Sequence, residues 1–111
     1  MMEIMEPRPE EGGVKFDTDK VRTDLFPSHA FLEVSKVLTF GAQKYDDENW
    51  RKGMKWKRLT GAALRHIFAW VSGEDQDPET GLSHLAHAAC CLVFLITYEE
   101  TSTGEDDRFT Y

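Results

Sequence analysis

From Leu85 to Tyr98 the chain reads L-A-H-A-A-C-C-L-V-F-L-I-T-Y, a run that is apolar on nearly every side of a helical wheel. Leu85, Ala88, Leu92 and Leu95 mark one face at helical spacing, and Ala89, Val93, Phe94 and Ile96 cover most of the remainder. A helix of this kind belongs in the middle of a bundle or at a subunit interface rather than on a solvated surface. It is too short to cross a bilayer, which takes about 20 apolar residues, so no membrane partner is expected. With 111 residues the chain is one domain at most. It can bury a modest core, and oligomerisation would help it to cover this helix.

Two further helices are predicted ahead of it. The first begins after Pro27, with Ser28 as N-cap, and continues towards Lys44; Phe31, Val34 and Leu38 repeat on one side, and Glu33, Lys36, Phe40 and Lys44 on the other. The second runs from about Leu59 to Ser72, with Ala63, Ile67 and Trp70 or Val71 inward and Gly73 as its stop. The apolar helix itself is expected to start at Asp77, where an Asp-Pro pair offers a cap oxygen and an N1 proline, and to end near Glu100. Residues 1–13, with Pro7, Pro9, Gly12 and Gly13 among glutamates, read as a flexible arm, and 101–111 as an acidic tail. The expected fold is all-α: a three-helix subunit, residues 14–100, that assembles into a helical-bundle oligomer.

A formal charge of -7 argues against a nucleic-acid polymer as partner, since a phosphate backbone calls for a net basic surface. The charge is unevenly spread. Lys44, Arg51, Lys52, Lys55, Lys57, Arg58 and Arg65 crowd the middle of the chain, whereas beyond His66 the one formally basic residue is Arg108. Such a division suits a small polyanion held together with a metal, although solvated surface explains it equally well. Cys90 and Cys91 are adjacent on a helix, diverge, and read as small buried hydrophobes rather than a disulfide. The glutamates near the N-terminus do not make a secretory signal, so a cytosolic protein is expected.

Chemistry concentrates between Gly73 and His87. Glu74, Asp75, Asp77 and Glu79 offer hard oxygens, and His84 and His87, one helical turn apart, offer nitrogens. Glu74, Asp77, Glu79, His84 and His87 are therefore the candidate metal ligands. The plainer alternatives are helix capping by Asp77 and a pair of core histidines bonded to carbonyls or acids. Lys44, Tyr45, Asn49, Trp50 and Lys52 interleave cations, an amide and aromatics, the set that a nucleotide base and its phosphates require. Trp50 or Tyr45 would stack on the base, or Trp50 and Trp56 would anchor the loop to the bundle. Arg65 would clamp a phosphate or pair with the acidic turn. His66 or Glu33 would serve as general base, with an ion pair to Lys36 the ordinary role for Glu33.

The strings V-K-F-D-T-D-K, F-G-A-Q-K-Y, N-W-R-K-G, A-L-R-H-I-F-A-W, G-E-D-Q-D-P-E-T-G and H-L-A-H-A-A-C, in this order, resemble the N-terminal domain family of dATP/dGTP diphosphohydrolases. These are mostly bacteriophage proteins related to the MazG-like nucleotide pyrophosphohydrolases. The resemblance covers roughly Val14 to Glu100. It implies an all-α MazG-like fold, a homodimer or homotetramer, dependence on Mg²⁺ or Mn²⁺, and hydrolysis of a purine deoxynucleoside triphosphate to its monophosphate and pyrophosphate in phage nucleotide-pool metabolism. The carboxylate pairs that MazG-like enzymes carry on two helices have no counterpart here: the second helix lacks acids, and His84 and His87 stand where Glu and Asp are expected. The literal Glu-x-x-Asp is Glu74 to Asp77, in the turn. A non-catalytic nucleotide- or protein-binding module on the same scaffold, and a phosphohydrolase that releases nucleoside and triphosphate, are the rival expectations.

Overall fold

The structure is a computed structural model that describes residues 12–110; most of the expected N-terminal arm, residues 1–11, lies outside the described residues. Three helices, α1 (Ser28–Tyr45), α2 (Trp56–Val71) and α3 (His84–Thr101), account for the regular structure, with single 3₁₀ turns at Thr23–Leu25 and Asn49–Lys52. No strand occurs among the described residues, and the subunit is the all-α, three-helix fold that the periodicity predicts.

The apolar helix α3 is central and packs against both α2 and α1, more extensively against α2. Towards α1, Ala86 and Cys90 meet Val37, with Val34, Leu38, Leu82 and Phe94 around them. Leu59 and Ala63 of α2 and Ala88 and Tyr98 of α3 are also buried. Small residues at 86, 88 and 90 let the helices approach closely, and Tyr98 is fully buried. Its hydroxyl donates to the carbonyl of Trp50, so the ring fills the core without an orphaned polar atom. Burial raises the pKa of the Tyr98 hydroxyl and pushes that of the Cys90 thiol up to about 12. Both cysteines are free thiols.

The third helix starts later than its Asp-Pro signal predicts. Asp77 forms a tight turn instead: its Oδ1 accepts from the Glu79 amide at 2.7 Å, its carbonyl accepts from the Gly81 amide at 2.7 Å, and its amide donates to Leu82 at 2.8 Å. Gly81, at φ +72°, takes the left-handed conformation this turn requires. Ser83 then caps α3 by accepting from the Leu85 amide. At α1 the cap position falls to Pro27, so Ser28 is already helical.

The α2 helix begins earlier than expected, at Trp56, because the tail supplies its cap. The carbonyl of Glu105 accepts from the Trp56 amide at 2.9 Å, and Asp107 Oδ1 from the Lys57 amide at 2.8 Å. The Trp56 indole donates to Thr103, and Arg108 lies over its ring. The acidic tail is thus folded back onto α2. Gly104, at φ +78°, is pressed against the backbone of Met54, which leaves no room for a Cβ.

Several apolar side chains expected inward face outward. Leu85, Leu92 and Ile96 form an exposed stripe along α3, and on α2 both Trp70 and Val71 are exposed, next to Leu64 and Phe68, for which no burial is expected. Phe31 is exposed on α1 as well.

Candidate imidazole–carboxylate site

Three histidines meet where α2 ends, the turn reverses and α3 begins. His66 projects from the last two turns of α2, His84 is the first residue of α3, and His87 follows one turn later. The His66 and His87 rings stack in parallel, centroids 4.6 Å apart at 8°. Between His66 and His84 the two Nδ1 atoms lie 2.9 Å apart. The turn brings Asp77 Oδ2 to within 3.7 Å of His66 Nδ1, so one donor atom from each of His66, Asp77 and His84 falls within 4.8 Å of the others.

Outer contacts fix the rings. Glu74 Oε1 lies 2.6 Å from His84 Nε2, and the Thr80 hydroxyl 2.8 Å from His87 Nε2. A carboxylate can only accept, so His84 Nε2 carries the proton and its Nδ1 presents a lone pair towards His66. His84 is 4 % exposed, and Glu74 closes it off from behind. Burial lowers the pKa of His66 and of His87 below the ordinary 6.5; for His66 the neighbouring His87 adds to this, and for both Asp77 opposes it. The two stacked rings are accordingly neutral at pH 7.

A cleft of about 870 Å³ opens beside this cluster. His66, Asp77, Glu79, Thr80 and His87 line it from α2, the turn and α3; Lys44 and Tyr45 line it from the end of α1, Asn49, Trp50 and Arg51 from the 3₁₀ turn, and Arg58 from the start of α2. Arg58 stands about 12 Å from His66 along α2, eight residues at 1.5 Å each. Lys44 reaches Glu79 at 2.8 Å, which ties α1 to the turn.

The candidates named from sequence separate into groups. Glu74, Asp77, His84 and His87 converge, and His66, expected as a base, stands among them. Glu79 faces the cleft but bonds Lys44. Trp50 stacks on Phe94 at 4.3 Å on one side and carries Arg51 on the other, so its ring anchors the loop. Tyr45 remains exposed at the cleft. Glu33 pairs with Lys36 at 3.0 Å in a separate groove, and neither Lys52 nor Arg65 lines the cleft. Arg51 and Arg58 were not singled out from sequence, nor was Thr80 as a partner of His87. Their signal was present: Thr80 lies seven residues before His87, and both arginines belong to the basic middle segment.

The fold and this centre define an all-helical domain with a histidine–carboxylate cluster beside a cleft edged by cations and aromatics. The family model described as dATP/dGTP diphosphohydrolase, N-terminal, matches residues 10–108, and the chain belongs to that family. A dATP/dGTP diphosphohydrolase of Salmonella phage PMBT28 is 41 % identical over 96 residues, which are 86 % of this chain and 33 % of that protein. The chain thus spans about a third of the length of the curated relative it matches. No solved structure matches it. No helix of the described residues is long and apolar enough to cross a membrane.

Proposed function

We propose that the domain hydrolyses a purine deoxynucleoside triphosphate, dGTP or dATP, to the monophosphate and pyrophosphate. The observation that carries this reading is a cluster of His66, Asp77 and His87, backed by the buried His84, on the wall of a cleft whose other walls present Lys44, Arg51, Arg58 and Tyr45. Family membership supports it, because the relative from the Salmonella phage is named a dATP/dGTP diphosphohydrolase.

In this reading Lys44, Arg51 and Arg58 hold the phosphates, Arg as a two-pronged donor and Lys as a point charge. Tyr45 stacks on the base and Asn49 hydrogen-bonds its edge. His87, neutral at pH 7 and facing the cleft, accepts the proton of the attacking water. The donor set of two imidazoles and a carboxylate fits Mn²⁺, the nitrogen-tolerant member of the pair Mg²⁺ and Mn²⁺ that the family resemblance implies. Held by His66, Asp77 and His84, such an ion would neutralise phosphoryl oxygens and make bound water more acidic. The exposed stripes on α2 and α3 are the surface we assign to a second copy of the chain, in a homodimer or homotetramer.

A second reading draws on the one-third coverage of the phage relative: the domain binds nucleotide, and turnover resides elsewhere in longer proteins. Incubation with dGTP or dATP and Mn²⁺ or Mg²⁺, followed by product separation, tests both. Monophosphate plus pyrophosphate supports hydrolysis at the α-phosphate. Nucleoside plus triphosphate places the cut elsewhere, and tight binding without product favours the module.

A further inference from the structure

We propose that His66 Nδ1, His84 Nδ1 and the Asp77 carboxylate form a site for one divalent first-row transition ion, that Glu74 orients His84 for it, and that Mg²⁺ is a poor occupant. The inference deepens the hydrolase reading by naming its cation class, and rests on that reading only for the ion's purpose.

Spacing is the first argument. Two donors about 2.1 Å from a common ion, at 90 to 109° to each other, stand roughly 3.0 to 3.4 Å apart. The Nδ1 atoms of His66 and His84 are 2.9 Å apart, and Asp77 Oδ2 is 3.7 Å from the first of them. The Asp77 and His84 donors lie within 4.8 Å of each other, so the imidazole pair is already spaced for an ion and the Asp77 carboxylate swings inward to complete the set. The donors come from the body of α2, a turn locked by its own hydrogen bonds and the first residue of α3, so folding holds them together.

The outer contacts supply the second argument, independent of spacing. Glu74 lies 2.6 Å from His84 Nε2, the atom remote from the site. A carboxylate there fixes the tautomer and directs Nδ1 inward, which is how histidine ligands are held in metal centres. On His66 the parallel His87 ring, itself tied to Thr80, fixes the plane in which Nδ1 points.

Donor chemistry then selects the ion. Mg²⁺ dehydrates reluctantly and takes oxygen ligands in near-ideal octahedra, whereas imidazole suits Mn²⁺, Fe²⁺, Co²⁺, Ni²⁺ and Zn²⁺. Two of the three inner donors are nitrogens. The thiols are not in the set, so a thiolate zinc site does not arise.

The test uses the full chain, stripped with chelator and titrated with Co²⁺, Mn²⁺ or Mg²⁺, and reads the visible absorption of Co²⁺, the heat of binding and the melting temperature. Co²⁺ is expected to bind with one-to-one stoichiometry, develop d–d bands and raise the melting temperature, while Mg²⁺ at equal concentration does neither. Glu74→Gln should weaken Co²⁺ binding by about 10- to 100-fold and keep the bands. Both His66→Gln and His84→Gln should abolish them, and Glu99→Gln, on the exposed side of α3, should change nothing. Mg²⁺ binding as tightly as Co²⁺, or Co²⁺ bands that survive both histidine variants, would overturn the proposal. Co²⁺ bound as described without any nucleotide hydrolysis would support the site and sink the hydrolase reading. Hydrolysis sustained by Mg²⁺ with no transition ion at the histidines would do the reverse.

Discussion

Between α2 and α3 the twelve residues from Ser72 to Ser83 fold into a turn in which Asp77 alone bonds Glu79, Thr80, Gly81 and Leu82, whereas the ten from Asp46 to Lys55, between α1 and α2, wind one 3₁₀ turn and gather on no such hub. In the turn, Asp77 gathers its neighbours through side chain, carbonyl and amide, Thr80 accepts from Leu82, and the His84 amide donates to Asp75. Beyond the backbone bonds of its 3₁₀ turn and the bond from Glu105 to Met54, the loop relies on the Trp50 ring against Phe94 and the Trp50 carbonyl under the Tyr98 hydroxyl, with Asp46 and Glu48 at positive φ and exposed. The difference maps onto task. Donors for a small ion must be preorganised to fractions of an ångström, while a surface that meets a base and a flexible triphosphate tolerates adjustment.

The sharpest way to break this comparison is at Asp77, which serves both the turn and the cluster. Asp77→Ala should cost about 0.5 to 1.5 kcal/mol through the lost bond to the Glu79 amide, a fall of roughly 2 to 12 °C in melting temperature, and should lower turnover at least about 100-fold. Asp77→Asn keeps an oxygen for the amide, so melting should recover while turnover does not. Full turnover in Asp77→Asn would reduce the residue to a turn former.

Trp50 comes next, because its effect falls on stability and leaves turnover in place. If its ring is an anchor, Trp50→Ala should destabilise by about 3 kcal/mol, read from the urea midpoint at unchanged slope. Trp50→Phe should keep most of the stability and the substrate affinity, and Tyr45→Ala should raise KM at constant melting temperature. A loss of affinity in Trp50→Phe without loss of stability would move base recognition to Trp50.

What the sequence reveals follows the same division. Helical periodicity exposes α1, α2 and α3, because each buries a repeating stripe and repetition survives in one dimension. The acidic turn and the His84–His87 pair are legible as well, since their spacing is local. Three things are not. The Asp-Pro signal is ambiguous between a helix cap and a turn hub, and the contacts of Asp77 with Leu82 and Gly81 decide for the turn. His66 joins the cluster across eighteen positions, a contact with His84 that only the packing of α2 on α3 creates. The cap on α2 arrives from Asp107, fifty residues away. Leu85, Leu92 and Ile96 mislead for a different reason: apolar character predicts burial, and in the isolated subunit these side chains are bare.

A smaller effect should appear on acidification, and it separates the two regions because the perturbed histidines lie on one side only. With the folded pKa of His66 and His87 depressed below 6.5, the unfolded chain takes up protons first. Their contribution to stability is complete above pH 6.5 and is lost as the pH falls through the folded values. The melting temperature should hold from pH 8 to 7 and decline by a few degrees below 6.5, and the double variant His66→Gln, His87→Gln should flatten that decline. A decline of the same size in the double variant would assign the acid sensitivity to other groups.

The smallest change in stability is expected at the ion pair that ties the end of α1, just ahead of the loop, to the turn, Lys44 to Glu79 at 2.8 Å. Both side chains are about half exposed or more, 45 % and 64 %, so water and salt screen the attraction, and Lys44→Ala should leave the melting temperature within about 1 °C. If Lys44 exchanges Glu79 for a substrate phosphate, its removal should raise KM about 10-fold with kcat unchanged, the pattern of an interaction made equally in ground and transition states. Glu79→Gln should then act in the opposite sense, because it frees the ammonium group before the nucleotide arrives. Equal increases in KM from the two variants would show that the pair works as a strut between α1 and the turn, with the phosphate contacts left to Arg51 and Arg58.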